Sequence, residues 1–409
     1  MRRDANADLM QLKRLKLKNF RSYADLDIEI PPGVVVFVGD NGQGKTNLIE
    51  ALYLLVRGES FRAGTADTYV RQPKGQAEPE QAAFVKAVIE KNGLIDEIHW
   101  SSKLGFRRLE LNGKKTSGLP LSRDFPIVLF SPESLASIKE GPEFRRQLVD
   151  EVLVTHSAAA VEILKDYRKA LKTRNRILKD HKQGKTTKPA ALRLLESLDG
   201  IFFPLAVSLT CLRQDALRAL EPDLKTAFRS VLDPNAVVEI EYLISNRTAN
   251  TWDRAAIMDA MHQRGMELRS RELESGLTLV GPHRHDIRFL FAGKDSRYFC
   301  SQGQQRALIL SYKMAQIMYH HRTHQVFPFL LLDDVLSELD PDRRANLVRF
   351  LSEEITTPAQ IFITTTDAGL LDFGDRNLSV FRLENGVIAS ARNSTESVRR
   401  RIDSSLRGP

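Results

Sequence analysis

Eight consecutive residues near the start of the chain have the types and spacing that bind phosphate groups. The run is Gly39-Asp40-Asn41-Gly42-Gln43-Gly44-Lys45-Thr46. Its glycines allow several backbone N–H groups to face one centre, and a helix beginning near Lys45 would add the positive end of its dipole. Lys45 would then contact the β- and γ-phosphates of a nucleotide, and the Thr46 hydroxyl would bind Mg²⁺. The alternative is a glycine-rich turn that binds nothing.

The sequence on either side of this run has the elements that a phosphate-binding loop needs. Residues 34–38 are all apolar, which predicts a buried strand, and residues 47–56 have a helical pattern. Strand, glycine-rich loop and helix in this order are the context in which such a motif is meaningful. The sequence therefore predicts a nucleotide-binding P-loop.

A second run of residues would complete the chemistry of this site. Phe329-Leu330-Leu331-Leu332-Asp333-Asp334 consists of four apolar residues and then two acids. A continuous apolar run is typical of a parallel strand buried on both faces, and ligands bind outside the carboxyl ends of such strands. Asp333 would hold Mg²⁺, and Asp334 would orient or deprotonate an attacking water beside the catalytic Lys45.

A third motif lies at the start of a predicted helix, far along the chain from Lys45. It is Ser301-Gln302-Gly303-Gln304. A helix N-terminus with small polar residues can bind an anion, so Ser301, Gly303 and Gln304 are candidate nucleotide contacts. The alternative is a helix cap in which Ser301 is the N-cap residue.

Composition limits the class of protein. The 409 residues are 42% hydrophobic and 27% charged, which is typical of a globular protein with two or three domains. Two distant cysteines, Cys211 and Cys300, favour a reducing cytoplasm over a disulfide framework, and no zinc-binding spacing is present. We expect no membrane span, because no apolar run has the length of one, and no secretory signal.

Periodicity divides the chain into parts. Residues 1–141 are strand-rich around the P-loop, residues 142–235 have a helical pattern, residues 236–392 return to mixed strands and helices, and residues 393–409 are predicted to be a disordered basic tail. This order predicts an α/β domain with an inserted helical arm. Residues 12–17 alternate Leu with Lys or Arg, which predicts an edge-type strand with one basic face.

The net charge of +8 favours a polyanionic partner, with nucleic acid as the first candidate. Residues 168–188 hold nine Lys or Arg and one acid, which is typical either of a phosphate-contacting surface or of a solvated helix face. Further candidate nucleic-acid contacts outside that segment are Lys13, Lys16, Lys18, Arg57, Arg62 and Arg71.

The order of these motifs resembles an ABC-type ATPase head of the kind found in SMC proteins, and more closely the RecF family. P-loop, helical insertion, Ser-x-Gly-Gln, and an apolar strand with two acids follow one another as in that family. The resemblance extends over about residues 12–367 and rests on these segments: Asn19-Phe20-Arg21 with Tyr23, residues 39–48, Tyr167 with Arg174-Asn175, residues 281–284, residues 301–306 and residues 331–340.

The resemblance implies specific roles for these residues. Gly39, Asn41, Gly42, Gly44, Lys45 and Thr46 match Walker A, Asp333 and Asp334 match Walker B, and Ser337 to Asp340 match the D-loop. Ser301, Gly303 and Gln304 match the signature, which in this superfamily contacts the γ-phosphate bound by the other subunit. The family resemblance implies an ATP-dependent homodimer that binds duplex DNA or a single/double-strand junction. It also implies RecR and RecO as partners, RecA loading at gaps, and roles in repair, replication and the SOS response.

The sequence also departs from the family pattern. His285 stands where an acid is expected, no switch histidine follows the last core strand, where Thr365 or Thr366 lies instead, and no Q-loop glutamine is evident. Asp334 replaces the more common Glu, which fits a slow ATPase that acts as a switch. A transporter-type ATPase subunit is the second hypothesis, although the helical insertion fits it poorly.

Overall fold

The computed structural model describes residues 10–62, 66–71, 82–103, 106–135, 138–231, 237–355, 359–367, 373 and 377–393. The predicted tail beyond residue 393 therefore lies outside the described residues. The strands are β1 Met10–Phe20, β2 Tyr23–Glu29, β3 Val34–Val38, β4 Ala82–Lys91, β5 Leu94–Lys103, β6 Phe106–Leu111, β7 Lys114–Lys115, β8 Ile127–Phe130, β9 Val238–Ile244, β10 Arg247–Thr248, β11 Asp286–Phe291, β12 Lys294–Asp295, β13 Phe329–Asp333, β14 Ile361–Thr365, β15 Leu378–Glu384 and β16 Val387–Asn393.

The helices confirm the α/β class. They are α1 Lys45–Arg57, α2 Gly118–Asp124, α3 Pro132–Leu135, α4 Pro142–His156, α5 Ala158–Lys182, α6 Lys188–Val231, α7 Arg254–Ser275, α8 Ser296–Phe299, α9 Gln302–His324 and α10 Pro341–Glu353. The chain divides into two compact units. One comprises Met1–Leu135, Ser230–Leu232 and Leu310–Pro409, and the other comprises Ala136–Arg229 and Asp233–Ile309.

The first unit contains the sheet that carries the P-loop. Its strand order is β16-β15-β3-β14-β13-β8, and β15, β3, β14, β13 and β8 run parallel. Every residue of β3, β13 and β14 is buried, which is why these strands read as continuous apolar runs. Because β3, β14 and β13 are neighbours, their carboxyl ends meet at one edge of the sheet.

A second sheet of the first unit corrects one prediction about the basic strand. Its order is β2-β1-β4-β5-β6-β7, so β1 is an internal strand and not an edge strand. The alternation itself is real, since Leu15 and Leu17 are fully buried while Lys16 and Lys18 are exposed. Period-two alternation reports which face is solvated, but it carries no information on the lateral neighbours of a strand.

The second unit contains helices α4 to α8 and the four-stranded sheet β10-β9-β11-β12. The sequence-based boundary at residue 235 separates this sheet from the helical arm, whereas in the structure the two cluster together. The basic segment 168–188 also differs from expectation at Arg174, which is fully buried. Its guanidinium binds Glu272 at 2.8 Å and Asp199 at 3.0 Å, so Arg174 holds helices together and does not face solvent.

Helix α6 is longer and more apolar than the sequence analysis anticipated. It contains an 18-residue window with a mean hydropathy of 1.5, which by length and composition alone could cross a membrane. Parts of the helix are buried within the second unit. The ring centres of Phe202 and Tyr167 are 5.6 Å apart, and Leu195 packs in a small core with Leu178 and Leu273. These contacts supply a packing reason for part of its apolar character.

A buried ion pair joins the β1–β2 turn to the P-loop helix α1. Glu50 is completely buried on α1 and accepts hydrogen bonds from Arg21 at 2.6 and 3.0 Å. The Arg21 backbone has a left-handed φ of 53° and its guanidinium lies 5.1 Å from the centre of the Tyr69 ring. The pair therefore fixes a strained turn against the helix that follows the P-loop.

We expect Arg21→Met to lower the free energy of unfolding by about 3 kcal/mol, because it leaves the Glu50 carboxylate buried without its cation. Urea unfolding of the nucleotide-free protein, followed by fluorescence, measures the change. Lys13→Met is the matched control. The Lys13 ammonium lies 2.7 Å from the Glu90 carboxylate on the protein surface, and such exposed ion pairs contribute roughly 0–1 kcal/mol to the free energy of unfolding. Equal losses in both variants would contradict a special role for the buried pair.

Candidate functional site

The P-loop has the backbone conformation that its glycines allow. Gly42 and Gly44 have φ angles of 82° and 102°, in the region that other residues rarely adopt, and Gly44 is the N-cap of α1. A Cβ atom on Gly44 would lie 2.6 Å from the Ser22 hydroxyl, whereas one on Gly42 would meet no atom within 4 Å. Gly44 is therefore required by close packing and by conformation, while the space beside Gly42 is open.

The Lys45 side chain closes the loop on itself. Its ammonium donates hydrogen bonds to the carbonyl oxygens of Gly39 at 2.7 Å and Asp40 at 2.9 Å, and only 6% of the residue is exposed. An ammonium has three N–H donors, so these two bonds leave one for an anion in the loop. The positive charge is thereby held at the place where the sequence predicts phosphate binding.

The carboxyl ends of three strands bring Thr46 and Asp333 together. The Thr46 hydroxyl donates to Asp333 Oδ1 at 3.0 Å, although the two residues are 287 positions apart. The Thr364 hydroxyl, at the end of β14, donates to the same oxygen at 2.7 Å. Sequence analysis did not identify Thr364 and considered Thr365 and Thr366 instead. Thr364 could have been predicted from its place, because it is a hydroxyl residue near the carboxyl end of an apolar strand that neighbours β13.

The surroundings of Asp333 disfavour a negative charge on its carboxyl. The residue is 4% exposed, and burial raises the pKa of its carboxyl, while the hydrogen bonds from Thr364 and Thr46 oppose that shift. Carboxylates of Glu133 and Asp334 raise the pKa further. A cation beside Asp333 and Thr46 would relieve this electrostatic cost.

The donor set fits Mg²⁺, which prefers oxygen ligands and is usually bound by one or two carboxylates together with phosphate oxygens and water. Thr46 and Asp333 supply two such oxygens. The described residues contain no group of three or more His, Cys, Asp or Glu side chains that could hold a metal without help from a ligand. The remaining ligands would therefore come from nucleotide and water.

Asp334 follows β13 in a conformation that is unusual for a residue with a side chain. Its φ is 49°, and its N–H donates to the Thr364 hydroxyl at 2.9 Å. The Ser337 hydroxyl lies 3.0 Å from Asp334 Oδ1 and 2.7 Å from the Asp334 carbonyl oxygen. Thr364 thus positions both acids, and Ser337 of the predicted D-loop contacts the predicted catalytic carboxylate.

The Ser301 motif lies in the second unit, at the start of α9. The Ser301 hydroxyl accepts the Gln304 N–H at 3.2 Å, and the Gln304 side chain accepts the Ser301 N–H at 2.9 Å. This reciprocal pair is a capping box, so the N-cap interpretation is confirmed. Gly303 follows within the first turn. Contact of these three residues with a nucleotide stays a prediction.

Comparisons with known proteins identify the family. A model described as the RecF/RecN/SMC N terminal domain matches residues 11–389. The DNA replication and repair protein RecF of Heliobacterium modesticaldum is 36% identical over 363 residues, which is 87% of this chain and 92% of its own length. That of Listeria innocua is 31% identical over 381 residues, which is 93% of this chain and 99% of its own length. This chain belongs to the RecF family.

Solved structures agree with this assignment. The recombination mediator RecF with ATP, from the RecFOR pathway, superimposes with a TM-score of 0.81 at 29% identity, covering 96% of this chain and 100% of its own. The Smc head domain of Pyrococcus furiosus has a TM-score of 0.57 at 16% identity over 98% of this chain and all of its own, and shows the shared fold alone. The RecF-family chain therefore has the ABC-type ATPase head that its motifs predicted.

The P-loop of this RecF-family chain is supported by two further segments. Sequence analysis did not connect either segment with the loop. The Tyr23 hydroxyl donates to the Gly44 carbonyl at 3.0 Å, and the Asn47 side chain donates to Ser22 at 2.9 Å. In the β15–β16 hairpin, the Asn385 N–H binds the Gln43 side chain, and the next residue's N–H donates to the Gln43 carbonyl at 3.2 Å. Both contacts join positions far apart in sequence.

His285, which stands where the sequence analysis expected an acid, is part of the core of the second unit. It is 4% exposed, its Nδ1 lies 3.0 Å from the Tyr242 hydroxyl, and its carbonyl accepts a hydrogen bond from Arg146 at 2.6 Å. Burial, together with the nearby Arg213 charge, holds the pKa of His285 well below its usual value. His285 is therefore a neutral core residue.

The candidate DNA contacts of the RecF-family chain differ in accessibility. Lys13 and Lys16 form ion pairs with acids of neighbouring strands, at 2.7 and 3.2 Å, and the Arg57 guanidinium lies 5.7 Å from the centre of the Tyr53 ring. Arg71 is half-buried. The exposed candidates are Lys18, Arg62, Arg168, Lys169, Lys172, Arg176, Lys179, Lys182, Lys185 and Lys188.

We expect Asp333→Asn to stabilise the nucleotide-free protein near neutral pH. A carboxyl whose pKa is raised by folding destabilises the folded state increasingly as pH rises from the unfolded pKa, about 3.8, through the folded one. Asparagine keeps an oxygen acceptor for Thr46 and Thr364 but carries no charge. The melting temperature of the variant should exceed that of the parent at about pH 7, and the excess should shrink toward about pH 4.

Thermal unfolding at a series of pH values measures this difference. Asp27→Asn is a control of opposite sign, because the hydrogen bond from Arg14 lowers the pKa of Asp27. Removing the Asp27 charge should therefore not raise the melting temperature. A lower melting temperature for Asp333→Asn near neutral pH would contradict the inferred cost of the buried charge.

Proposed function

We propose that this RecF-family chain is an ATP-dependent, dimerising DNA-binding protein of DNA replication and repair. One observation carries the proposal. The P-loop, closed by the Lys45 ammonium, and the hydrogen-bonded pair Thr46 and Asp333 lie together at the carboxyl ends of the parallel strands. A positive cradle beside two hard oxygen ligands suits the polyphosphate of a nucleotide with Mg²⁺. The RecF structure with ATP, 29% identical, supports ATP as that nucleotide.

Each residue of the site would have a separate role. Residues 39–46 would surround the phosphates with N–H groups, and the Lys45 ammonium would exchange a carbonyl partner for phosphate oxygens. Thr46 and Asp333 would hold Mg²⁺, which supplies charge neutralisation at the phosphates when bound. Asp334 would orient the attacking water and accept its proton, and its hydrogen bond with Ser337 would keep the carboxylate in place.

We propose that hydrolysis is slow and acts as a release switch. In this proposal Ser301, Gly303 and Gln304 of one subunit contact the γ-phosphate bound by the other, so ATP joins two heads. ATP and DNA then raise each other's affinity, because coupling between two binding sites is reciprocal. Hydrolysis removes the γ-phosphate and separates the subunits.

The proposed setting is cytoplasmic and follows the resemblance to the RecF family. Relatives named DNA replication and repair protein RecF, and structures from the RecFOR pathway, support DNA repair as the process. We propose RecR and RecO as protein partners, RecA loading at gaps as the outcome, and a contribution to replication restart and SOS induction. The excess positive charge of the chain supports the DNA contact.

The mass of the protein in solution tests the proposal. Asp334→Asn, which should slow hydrolysis while keeping the fold, is expected to change from monomer to dimer when ATP and Mg²⁺ are added, and the dimer should bind duplex DNA more tightly. Lys45→Met is the control and should remain monomeric, because it loses charge-assisted hydrogen bonds to phosphate of about 1.5–3 kcal/mol each. A monomer at saturating ATP would contradict the switch and favour a transporter-type ATPase.

Ser301→Arg separates the signature role from the helix cap. The variant should bind ATP as a monomer with unchanged affinity but fail to dimerise, because a long cation would fill the space that the proposal gives to the partner's γ-phosphate. Gel filtration with ATP, combined with nucleotide titration, measures both properties. Ser301→Asp, which keeps a good N-cap oxygen, is the matched control for helix stability. A normal ATP-dependent dimer of Ser301→Arg would refute the sandwich arrangement.

A further inference from the structure

The solvent-facing side of the β2-β1-β4-β5-β6-β7 sheet carries aromatic side chains where the pleat predicts polar ones. Phe84 lies on β4 between Ala83 and Val85, both fully buried, so its ring projects from the opposite face. Phe84 is 36% exposed, and Phe106, on β6, is 81% exposed. Neither ring belongs to the core of the first unit. Single exposed apolar side chains are normal, whereas an exposed apolar patch rimmed by polar residues marks an interaction site.

The two rings belong to one corner of the sheet. The His99 ring stacks on Phe84 with centroids 6.0 Å apart and planes within 10° of parallel. On β5, Ser101 pairs with Phe84 of β4, and Lys103 pairs with Phe106 of β6. The two pairing positions are therefore two residues apart along β5. From strand spacing and rise, the Phe84 and Phe106 positions are roughly 12 Å apart on one face. We call Phe84, His99 and Phe106 the aromatic corner.

Cations surround the aromatic corner. The strand register places Lys18 beside Phe84 on one side, and Ser101 followed by Arg108 on the other. Lys18 and Lys103 are exposed and form no ion pair with any described residue, and the Arg108 side chain is 65% exposed. The acids on this part of the face are Asp25 beside Lys18, Glu110 beside Arg108 and His99, and Glu97, which pairs with Lys86.

We infer that the aromatic corner is a stacking surface for unpaired bases of single-stranded DNA. This inference rests on the proposed DNA-binding function and names the form of DNA that this face takes. Flat rings beside Lys and Arg suit a single strand, because bases stack on the rings while phosphates bind the cations. Inside a duplex each base is stacked on its neighbours on both faces, so only the two end pairs offer a face to Phe84 or Phe106.

The aromatic corner lies next to the segment that contacts the P-loop. Lys18 is two residues before Phe20, and the β1–β2 turn that follows supplies Ser22 and Tyr23, which contact Asn47 and Gly44. A strand whose phosphate binds Lys18 would therefore contact β1, which leads directly into that turn.

Fluorescence anisotropy with two labelled ligands tests the inference on the full chain with ATP and Mg²⁺. One ligand is an oligothymidylate single strand and the other is a blunt duplex of the same length. Phe84→Ala and Phe106→Ala should each weaken single-strand binding about tenfold, the loss expected for one stacked base, and should leave duplex binding within about twofold. Phe84→Trp should retain single-strand affinity, because it keeps a stacking ring.

Ile95→Ala is the matched control, because Ile95 is 61% exposed and pairs with Glu90 at the far end of β4 and β5. It should change neither affinity. Phe106 is so exposed that its removal should spare the fold, which thermal unfolding verifies. Single-strand binding by Phe84→Ala/Phe106→Ala equal to the parent, or equal losses for both ligands, would overturn the inference. A parent protein that binds the duplex but no single strand would also overturn it, whereas binding of neither would refute the proposed DNA function itself.

Discussion

The hydrogen bond between Thr46 and Asp333 is the contact on which the rest of the site depends. It joins the first turn of the P-loop helix to the end of β13, so it forms only when β3, β14 and β13 are parallel neighbours in register. Thr364 reaches the same carboxylate oxygen from the intervening strand, which makes the alignment a three-strand property. Because the three strands are buried on both faces, apolar packing holds them, and the polar groups appear only at their carboxyl ends. The fold thus separates the source of stability from the source of chemistry.

The same edge of the sheet concentrates charge that apolar packing alone would not tolerate. Asp333 is buried and its pKa is raised, while Lys45 satisfies two of its donors on carbonyl oxygens of its own loop. Neither charge neutralises the other through a direct contact. An anion that accepts from Lys45 and a cation that binds Asp333 would improve both environments at once, which is the electrostatic reason why a nucleotide and a divalent ion suit this site together.

The sequence predicted most features that depend on adjacent residues, and few of the contacts between residues that are far apart in the chain. The apolar runs of β3 and β13 and the glycines of the P-loop were predictable because each depends on a few adjacent residues. The internal position of β1, the burial of Arg174 and the contribution of Thr364 were not, because each is decided by partners tens to hundreds of residues away. The contact of Asn385 and Gly386 with Gln43 was not predictable either, because it depends on how β15 pairs with β3. The roles assigned to individual site residues likewise stay predictions.

The capping box at Ser301 shows how a structural and a functional interpretation can both hold. In the cap, the Ser301 oxygen accepts the Gln304 N–H, but a serine hydroxyl has its own hydrogen, which remains free to donate. The side chain of Gln304 accepts the Ser301 N–H through its oxygen, which leaves its NH₂ group with two donors. A cap formed in this way holds the two side chains and these donors at the positive end of a helix dipole. The features that stabilise the start of α9 are therefore the ones that an anion would use, and cap and anion contact are compatible.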